Sequence, residues 1–321
     1  MKVERRDFIK ISFISAAATV YAASHFNIED DLVDISLPET PTINIIPTEN
    51  SNKETPASEA TIVPKTEIER QIEKYGVAKS IPCFEYHGDN YAMYPGYSME
   101  PSYFEKQMKW LHENDFHSVT GLELEAYLDG TTQLPGRSII LTTDSGNTSQ
   151  NSLNRMIPVL KDYKMHFLSF IWTNQMDTGE SKACIDDSCW KTFEIAQDSG
   201  VFTFGCHTET HRDFSLVKKE EGLIELNQSM NDIEKRLGIN VKGLSWPFES
   251  CAYTNDDLKQ IGLEYAFGGN SRIIMENAVM FQDNLRYCLP RLLPPSPNGV
   301  SGRPNNMTLS DIMERYTTYT K

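Results

Sequence analysis

Long apolar runs, basic charge and late histidines are all scarce in this chain of 321 residues. No stretch approaches the roughly 18 consecutive apolar residues of a membrane-spanning helix, which argues against such a helix. Lysine and arginine number 30 against 45 aspartate and glutamate, giving a net charge of −15. This acidity disfavours nucleic acid and anionic membranes as partners and fits an exported protein that acts on neutral or basic material. The last histidine is His211.

The N-terminal segment, residues 1–23, predicts an export signal of the twin-arginine type. Arg5 and Arg6 are followed by Phe8 and Lys10, and an alanine-rich apolar run occupies residues 11–23. That run has about the length of a signal core and is short for a membrane span. No cysteine follows it directly, which argues against a lipoprotein anchor. We therefore expect an extracytoplasmic location: periplasmic, cell-surface or secreted. Whether the signal is cleaved stays open.

The next segment, residues 24–76, is rich in proline, threonine, glutamate, asparagine and serine. Such a composition buries little apolar surface and predicts a disordered spacer, with a short lead-in helix at residues 66–75. The remaining residues, 77–321, predict one globular domain. The chain as a whole is 39% hydrophobic, enough for a sizeable core.

The six cysteines can pair if the chain is exported to an oxidising compartment. Six cysteines allow 15 connectivities, so spacing alone does not choose among them. The close spacing of Cys184 and Cys189 predicts a disulfide bond that closes a short loop. Cys206 and Cys251 each lie beside a candidate functional motif described below, and we expect them to face one another.

Strand-like and helix-like segments alternate throughout the domain. Apolar, β-branched stretches such as residues 138–143 predict strands, and a leucine-rich stripe over residues 223–237 predicts an amphipathic helix that ends at Gly238. Thr120 and Glu123 have the spacing of a capping box. About seven strands linked by helices predict a parallel α/β barrel, in which functional residues lie at the carboxyl ends of strands. His87, Asp144 and His207 all directly follow predicted strands.

Three short stretches carry residues that could act in catalysis, metal binding or substrate binding. Asp144 ends a strand, and such a carboxylate acts as general base or metal ligand, or merely caps the strand as an Asx turn. His207 and His211 are four apart, which would put both imidazoles on one side of a helical turn and within reach of one ion. The alternative is a solvent-facing or capping role. Zinc is the default ion for histidine with oxygen donors.

The third stretch, Trp246-Pro247-Phe248, is an aromatic–proline–aromatic run after a predicted strand. It could form the wall of a sugar pocket. Ordinary core packing is the alternative interpretation.

Taken together these stretches resemble one family, the polysaccharide deacetylases of carbohydrate esterase family 4. The segment TTDSG at 142–146 resembles the family's Thr-Phe-Asp-Asp-Gly motif, and HTETH at 207–211 resembles its His-Ser/Thr-x-x-His motif. The run at 246–248 resembles its proline–aromatic motif, and residues 257–267 resemble the helix and strand that follow. The resemblance extends from about residue 81 to residue 294.

The resemblance implies a distorted (β/α)7 barrel that holds a divalent metal, most simply zinc. Family members remove N-acetyl or O-acetyl groups from a polysaccharide; N-acetyl removal hydrolyses a non-peptide carbon–nitrogen bond. Carried over, Asp144 would be the base that deprotonates water, and His207 and His211 would hold the metal. The expected partner is an acetylated cell-wall or extracellular glycan; the oligomeric state stays open.

Two departures from the family pattern affect this assignment. The family's second aspartate, a metal ligand, corresponds here to Ser145, whose hydroxyl is a much weaker donor. Either Glu209 or Glu249 substitutes, or Asp144 itself binds the metal, or the site is empty.

The second departure is the missing late histidine that serves many members as general acid. His87 could act from the opposite wall, with a structural histidine as the alternative. Arg291 lies where family members place a residue oriented toward the aspartate, with a surface salt bridge as the alternative. Two hypotheses follow: an active deacetylase with a variant metal site, and a catalytically impaired, glycan-binding pseudoenzyme.

Overall fold

The computed structural model describes residues 65–87, 99–145, 150–174, 187–268, 286–295 and 308–317. These lie in one unit, Ile62–Lys321. The predicted signal, and the predicted spacer up to residue 64, lie outside the described residues. The lead-in helix is confirmed as α1 (Glu67–Tyr75), which begins with a capping box between Thr66 and Glu69. No helix in the described part of the chain is long and apolar enough to cross a membrane.

The described part of the domain alternates strands and helices as the sequence predicts. The elements are β1 (Cys83–Tyr86), α2 (Pro101–Glu113), β2 (His117–Ser118), α3 (Gly121–Leu128), β3 (Ser138–Ser145), α4 (Gln150–Asp162), β4 (Phe167–Ile171), α5 (Ser188–Asp198), β5 (Phe202–Cys206), α6 (Lys219–Leu237), β6 (Gly243–Ser245), α7 (Asn255–Gln260), β7 (Tyr265–Phe267) and α8 (Leu309–Thr317). The predicted local signals are present: Thr120 and Glu123 form a capping box, and Gly238 ends α6 in the left-handed conformation.

The strands form a parallel sheet in the order β1-β3-β4-β5-β6-β7, with β2 paired to β3. Residues 289–292 connect its two edges. Leu289 exchanges backbone hydrogen bonds with β7 through Ala266 and Gly268, and Leu292 does so with β1 through Cys83 and Glu85. The seventh position of the ring is thus filled by an irregular segment, and the fold is the predicted distorted (β/α)7 barrel.

Alternation along the strands divides the core into two clusters. Inward-facing residues such as Ile140, Leu168, Phe170 and Phe267 pack together inside the barrel. The strand residues that alternate with these face outward, and they pack against the surrounding helices in a larger cluster. Because consecutive strand residues face opposite sides, Asp144 and Ser145 belong to different sides of the barrel wall.

The cysteine predictions have mixed outcomes. Cys251 is bonded to Cys288, and Cys206 is a buried free thiol, so the expected Cys206–Cys251 contact is wrong. The Cys206 thiol instead contacts Ser229 of α6, and Cys251 has Cys288 as its partner. Cys189 is disulfide-bonded, and its expected partner Cys184 lies outside the described residues.

Candidate active site

Arg291 is the centre of a buried ion-pair cluster at the carboxyl end of the barrel. Its Nη1 donates to Asp144 Oδ1 at 2.8 Å and its Nη2 donates to Asp144 Oδ2 at 2.9 Å. Nη2 also donates to Glu85 Oε1 at 2.7 Å. Arg291 is 1% exposed, which excludes the surface salt bridge. The bidentate pair fixes both the position and the plane of the Asp144 carboxylate.

The charges in this cluster determine the protonation of Asp144. Burial alone would raise the pKa of Asp144, but the adjacent Arg291 guanidinium outweighs it and holds that pKa well below its usual range. Burial would likewise lower the pKa of Arg291, and Asp144 and Glu85 keep it raised. Asp144 is therefore a carboxylate at every working pH. Its partner Glu85 was missed by the sequence analysis; the available signal was an acidic residue in an otherwise apolar strand, two positions before His87.

His207 presents one ring nitrogen to Asp144. Its Nδ1 lies 2.9 Å from the carbonyl oxygen of Ser245, so Nδ1 carries the proton and donates it there. Its Nε2, left with a lone pair, lies 3.8 Å from Asp144 Oδ2. Burial lowers the pKa of His207, which keeps the ring neutral. A neutral imidazole held through its other nitrogen is the form that binds a metal ion.

His211 lies beside His207, but not for the predicted reason. The two ring centroids are 4.8 Å apart, yet residues 207–213 form no helical turn. Instead Thr208 and His211 both adopt positive φ, at 66° and 55°. The His211 N–H donates to Thr208 Oγ1 at 3.0 Å, which closes the loop. Burial, then the neighbouring His207, lowers the pKa of His211 to about 4.

His87 lies on the other side of Asp144, at the end of β1. Its Nε2 is 3.4 Å from Glu85 Oε1, and its side chain is partly exposed at the mouth of the barrel. Glu85, His87 and Asp144 offer ligand atoms that all lie within 4.8 Å of one another. The Arg291 guanidinium bonds both carboxylates of this group, including the Asp144 Oδ2 that lies next to His207, so a cation beside either histidine would share Asp144 with an arginine.

Ser145 does not face the histidines. Ser169 Oγ donates to Ser145 Oγ at 2.9 Å, and both residues are fully buried on the outer side of the strands. The proposed substitutes, Glu209 and Glu249, belong to no group of three close ligand residues within the described part of the chain. The expectation of a Ser145 ligand therefore has no geometric support.

The aromatic run differs from the predicted pocket wall. Trp246 and Pro247 are buried, and Trp246 Nε1 donates to the carbonyl of Tyr287 at 3.0 Å, so these two residues are core. Phe248 alone is exposed, at 65%, with φ of 57°. Its ring lies 5.0 Å from that of His211, whose other side faces Trp172 at 4.5 Å. Trp172, which the sequence analysis missed, thus joins Phe248 beside the histidines.

The chemistry of these side chains suits a divalent metal. Imidazole and carboxylate are donors that zinc prefers, and two ligands of one zinc ion are separated by about 3.4 Å when each bond is about 2.0–2.2 Å. The 3.8 Å between His207 Nε2 and Asp144 Oδ2 is close to that spacing. This pair therefore has the spacing that one ion requires, whereas Ser145 faces the other side of the strand. Within the described part of the chain, however, Asp144, His207 and His211 are not a group whose ligand atoms all lie within 4.8 Å of one another.

The comparisons with known proteins concern the family and the fold. Residues 131–266 match the family model described as polysaccharide deacetylase. This region is a polysaccharide deacetylase domain. The match contains Asp144, His207 and His211, whereas His87 and Arg291 lie outside it.

Relatives of the deacetylase domain extend the likeness. A poly-beta-1,6-N-acetyl-D-glucosamine N-deacetylase of Staphylococcus aureus strain MRSA252 is 28% identical over 209 residues, covering 61% of this chain and 68% of the relative. Among solved structures, a Streptococcus pyogenes deacetylase, PplD, in complex with acetate has a TM-score of 0.58 at 18% identity, covering 74% of this chain and 97% of that one. IcaB from Ammonifex degensii has a TM-score of 0.56 at 19% identity, covering 75% and 98%. At these identities the structural likeness concerns the fold.

Proposed function

We propose that this protein is an exported, divalent-metal-dependent deacetylase that removes N-acetyl groups from a polymer of N-acetylglucosamine. The observation that carries the proposal is the convergence of Asp144, clamped by Arg291, on the Nε2 of His207. The N-acetyl linkage and the β-1,6-linked glycan come from the name of the staphylococcal relatives. The acidic surface suits a product that gains amino groups as acetyl groups leave.

Asp144 serves as proton acceptor in this proposal. The ion, when bound by His207 and His211, supplies Lewis-acid activation of water and of the acetyl carbonyl. Asp144 is a weak base because Arg291 lowers its pKa, but it is always deprotonated and held in one orientation. Such a base suffices when the acidity of the water has been raised.

His87 supplies the proton that the leaving amine needs. A ring nitrogen of His87 lies within 4.8 Å of the Asp144 carboxylate, and Glu85 Oε1, 3.4 Å from His87 Nε2, orients the ring. An amine leaves only if its nitrogen is protonated, and a partly exposed histidine can exchange that proton with solvent. His87 therefore serves as the general acid in place of the late histidine that the chain lacks.

Phe248 contributes to substrate binding. Its exposed ring stands beside His211, where the apolar face of a sugar could stack on it.

The test is acetate release from oligomers of β-1,6-linked N-acetylglucosamine by zinc-supplemented protein. We expect activity that Asp144→Asn and His207→Ala abolish and that His87→Ala reduces at least about 100-fold. Zinc affinity separates the roles: Asp144→Asn should keep the metal, and His207→Ala should lose it. No acetate from the wild type, with zinc bound, would refute the enzyme.

A second candidate function is glycan binding without catalysis. It is favoured by the position of Ser145, which is turned toward Ser169 and leaves the metal one carboxylate short. This function predicts that the wild type as isolated binds the oligomer but holds no stoichiometric metal. Tight stoichiometric zinc would contradict it.

Export is proposed from the sequence of residues 1–23. Changing Arg5 and Arg6 to lysine should leave the protein in the cytoplasm, measured by fractionation of a host with a twin-arginine pathway. Unchanged export of that variant would refute this route.

A further inference from the structure

A buried carboxylate on α6 forms hydrogen bonds to the loop of residues 207–213, here called the histidine loop, on both sides of His211. Glu225 is 5% exposed, and its Oε1 accepts from the N–H of Thr210 at 2.9 Å and from Thr210 Oγ1 at 2.7 Å. Its Oε2 accepts from Nε of Arg212 at 3.2 Å and from Arg212 Nη2. All four of these donors belong to the two residues that flank His211 in the chain.

The loop needs such a restraint because its backbone is strained. Thr208 and His211 are non-glycine residues with positive φ, a conformation that persists only where surrounding contacts enforce it. The Thr208 hydroxyl closes the loop from within, but it belongs to the loop itself. Glu225 instead belongs to a helix of 19 residues, and it anchors the loop to that rigid element.

A purely structural role explains Glu225 less well. Burying a carboxylate is costly unless it is fully bonded, and an apolar residue at this position would pack against the loop without that cost. The neighbouring Glu221 also bonds Arg212, through Nη1 at 2.7 Å, but from the exposed side of the helix. The chain thus offers one buried and one exposed carboxylate on the same arginine.

From these contacts we infer that Glu225 is a positioning residue that sets the orientation of His211 toward the metal. The inference rests on the proposed metal centre at His207 and His211. A glutamine at this position keeps one oxygen for Thr210 but turns an amide NH2 toward the donors of Arg212. The Arg212 contacts are then lost, the strained loop relaxes on that side, and the His211 ring shifts from its place beside His207.

The experiment compares Glu225→Gln with the matched control Glu221→Gln in the full chain. In metal-free protein, nitrogen-15 NMR of the imidazole rings should show the His211 resonances shifted or broadened in Glu225→Gln, with those of His207 unchanged. Glu221→Gln should move neither. Competition with a chromophoric chelator should then show zinc binding weakened about 10- to 100-fold in Glu225→Gln and less than about twofold in the control.

The outcomes separate this inference from the proposed function. Unchanged His211 resonances, or equal zinc affinity in wild type and Glu225→Gln, would overturn the role of Glu225 while leaving the metal centre intact. No zinc binding by the wild type would overturn the metal centre, and the role of Glu225 with it. If Glu225→Gln does not fold, Thr210→Val, a change at an exposed residue that removes one bond to Glu225, replaces it. It should cost zinc affinity about threefold, and no loss would count against the inference.

Discussion

Arg291→Met tests the ion-pair cluster at the centre of the site. Methionine keeps the length of the arginine stem and removes the only guanidinium that the described contacts give to Asp144 and Glu85. Both carboxylates remain buried, with side chains 7% exposed. Because breaking a buried pair by removing one partner costs about 3–5 kcal/mol, we expect a loss of that size in the free energy of unfolding at pH 7. At about 2–4 °C per kcal/mol, the melting temperature falls by roughly 6–20 °C.

The dependence of this loss on pH follows from the sign of the pKa shift. In the wild type the pKa of Asp144 is lowered, so its pairing stabilises the fold above the unfolded pKa of about 3.9 and is lost as pH falls toward the folded value. In Arg291→Met, burial without a cation raises that pKa, so the carboxylate protonates readily. The difference in stability between the two proteins should therefore be largest near pH 7 and shrink toward pH 4.

Urea unfolding followed by circular dichroism at several pH values measures both effects. Arg286→Met is the matched control, because Arg286 is in the same segment and forms more exposed ion pairs with Asp129 and Glu264. Its loss should be about 1 kcal/mol and nearly independent of pH over that range. Equal losses in the two variants, or a loss for Arg291→Met that grows toward acid, would refute the reasoning.

Two further predictions concern single residues. Ser145→Asp should leave zinc affinity within about twofold and destabilise the fold, because this side chain faces Ser169 on the outer side of β3 and a carboxylate there would be buried without a cation; zinc binding tightened about tenfold, measured by chelator competition, would show that this position reaches the metal. Burial lowers the pKa of His166, whose ring bonds Thr203, to about 4. Because the unfolded chain takes up that proton first, stability should fall from about pH 6.5 toward pH 4 by up to about 3 kcal/mol. His166→Gln should flatten this decline in urea titrations, and an unchanged slope would contradict the assignment.

Most of the barrel was predictable because its signals are local. Apolar β-branched runs mark the strands, and the capping box at Thr120 marks a helix start, each within a few residues. The closing segment at 289–292 was not predictable in this way. Pro290 and Pro294 flank a short stretch without alternation, and the segment joins β7 to β1 through a few backbone bonds that only the assembled ring supplies.

The site was predictable in its residues but less so in their orientation. Spacing placed His207 and His211 together, yet the loop achieves this with two positive φ angles rather than a helical turn. The position of Cys206 and Cys251 beside two candidate functional motifs also suggested that they face one another, although the Cys206 thiol contacts Ser229 and Cys251 is bonded to Cys288. The direction in which a side chain faces depends on how its strand lies in the assembled sheet, and a short sequence motif does not determine that direction.

Ser145 illustrates what that orientation means for the metal. Asp144 faces inward and Ser145 outward, so β3 offers the ion one carboxylate. If Asp144 and Arg291 were the only charges there, they would cancel and the histidines would attract a cation weakly. Glu85 gives the cluster one net negative charge, and its Oε1 accepts a hydrogen bond from Arg291 as both oxygens of Asp144 do. The charge of the missing carboxylate is thus replaced. The site is therefore expected to attract a divalent cation, yet to hold it more loosely than a site with two aspartates on β3.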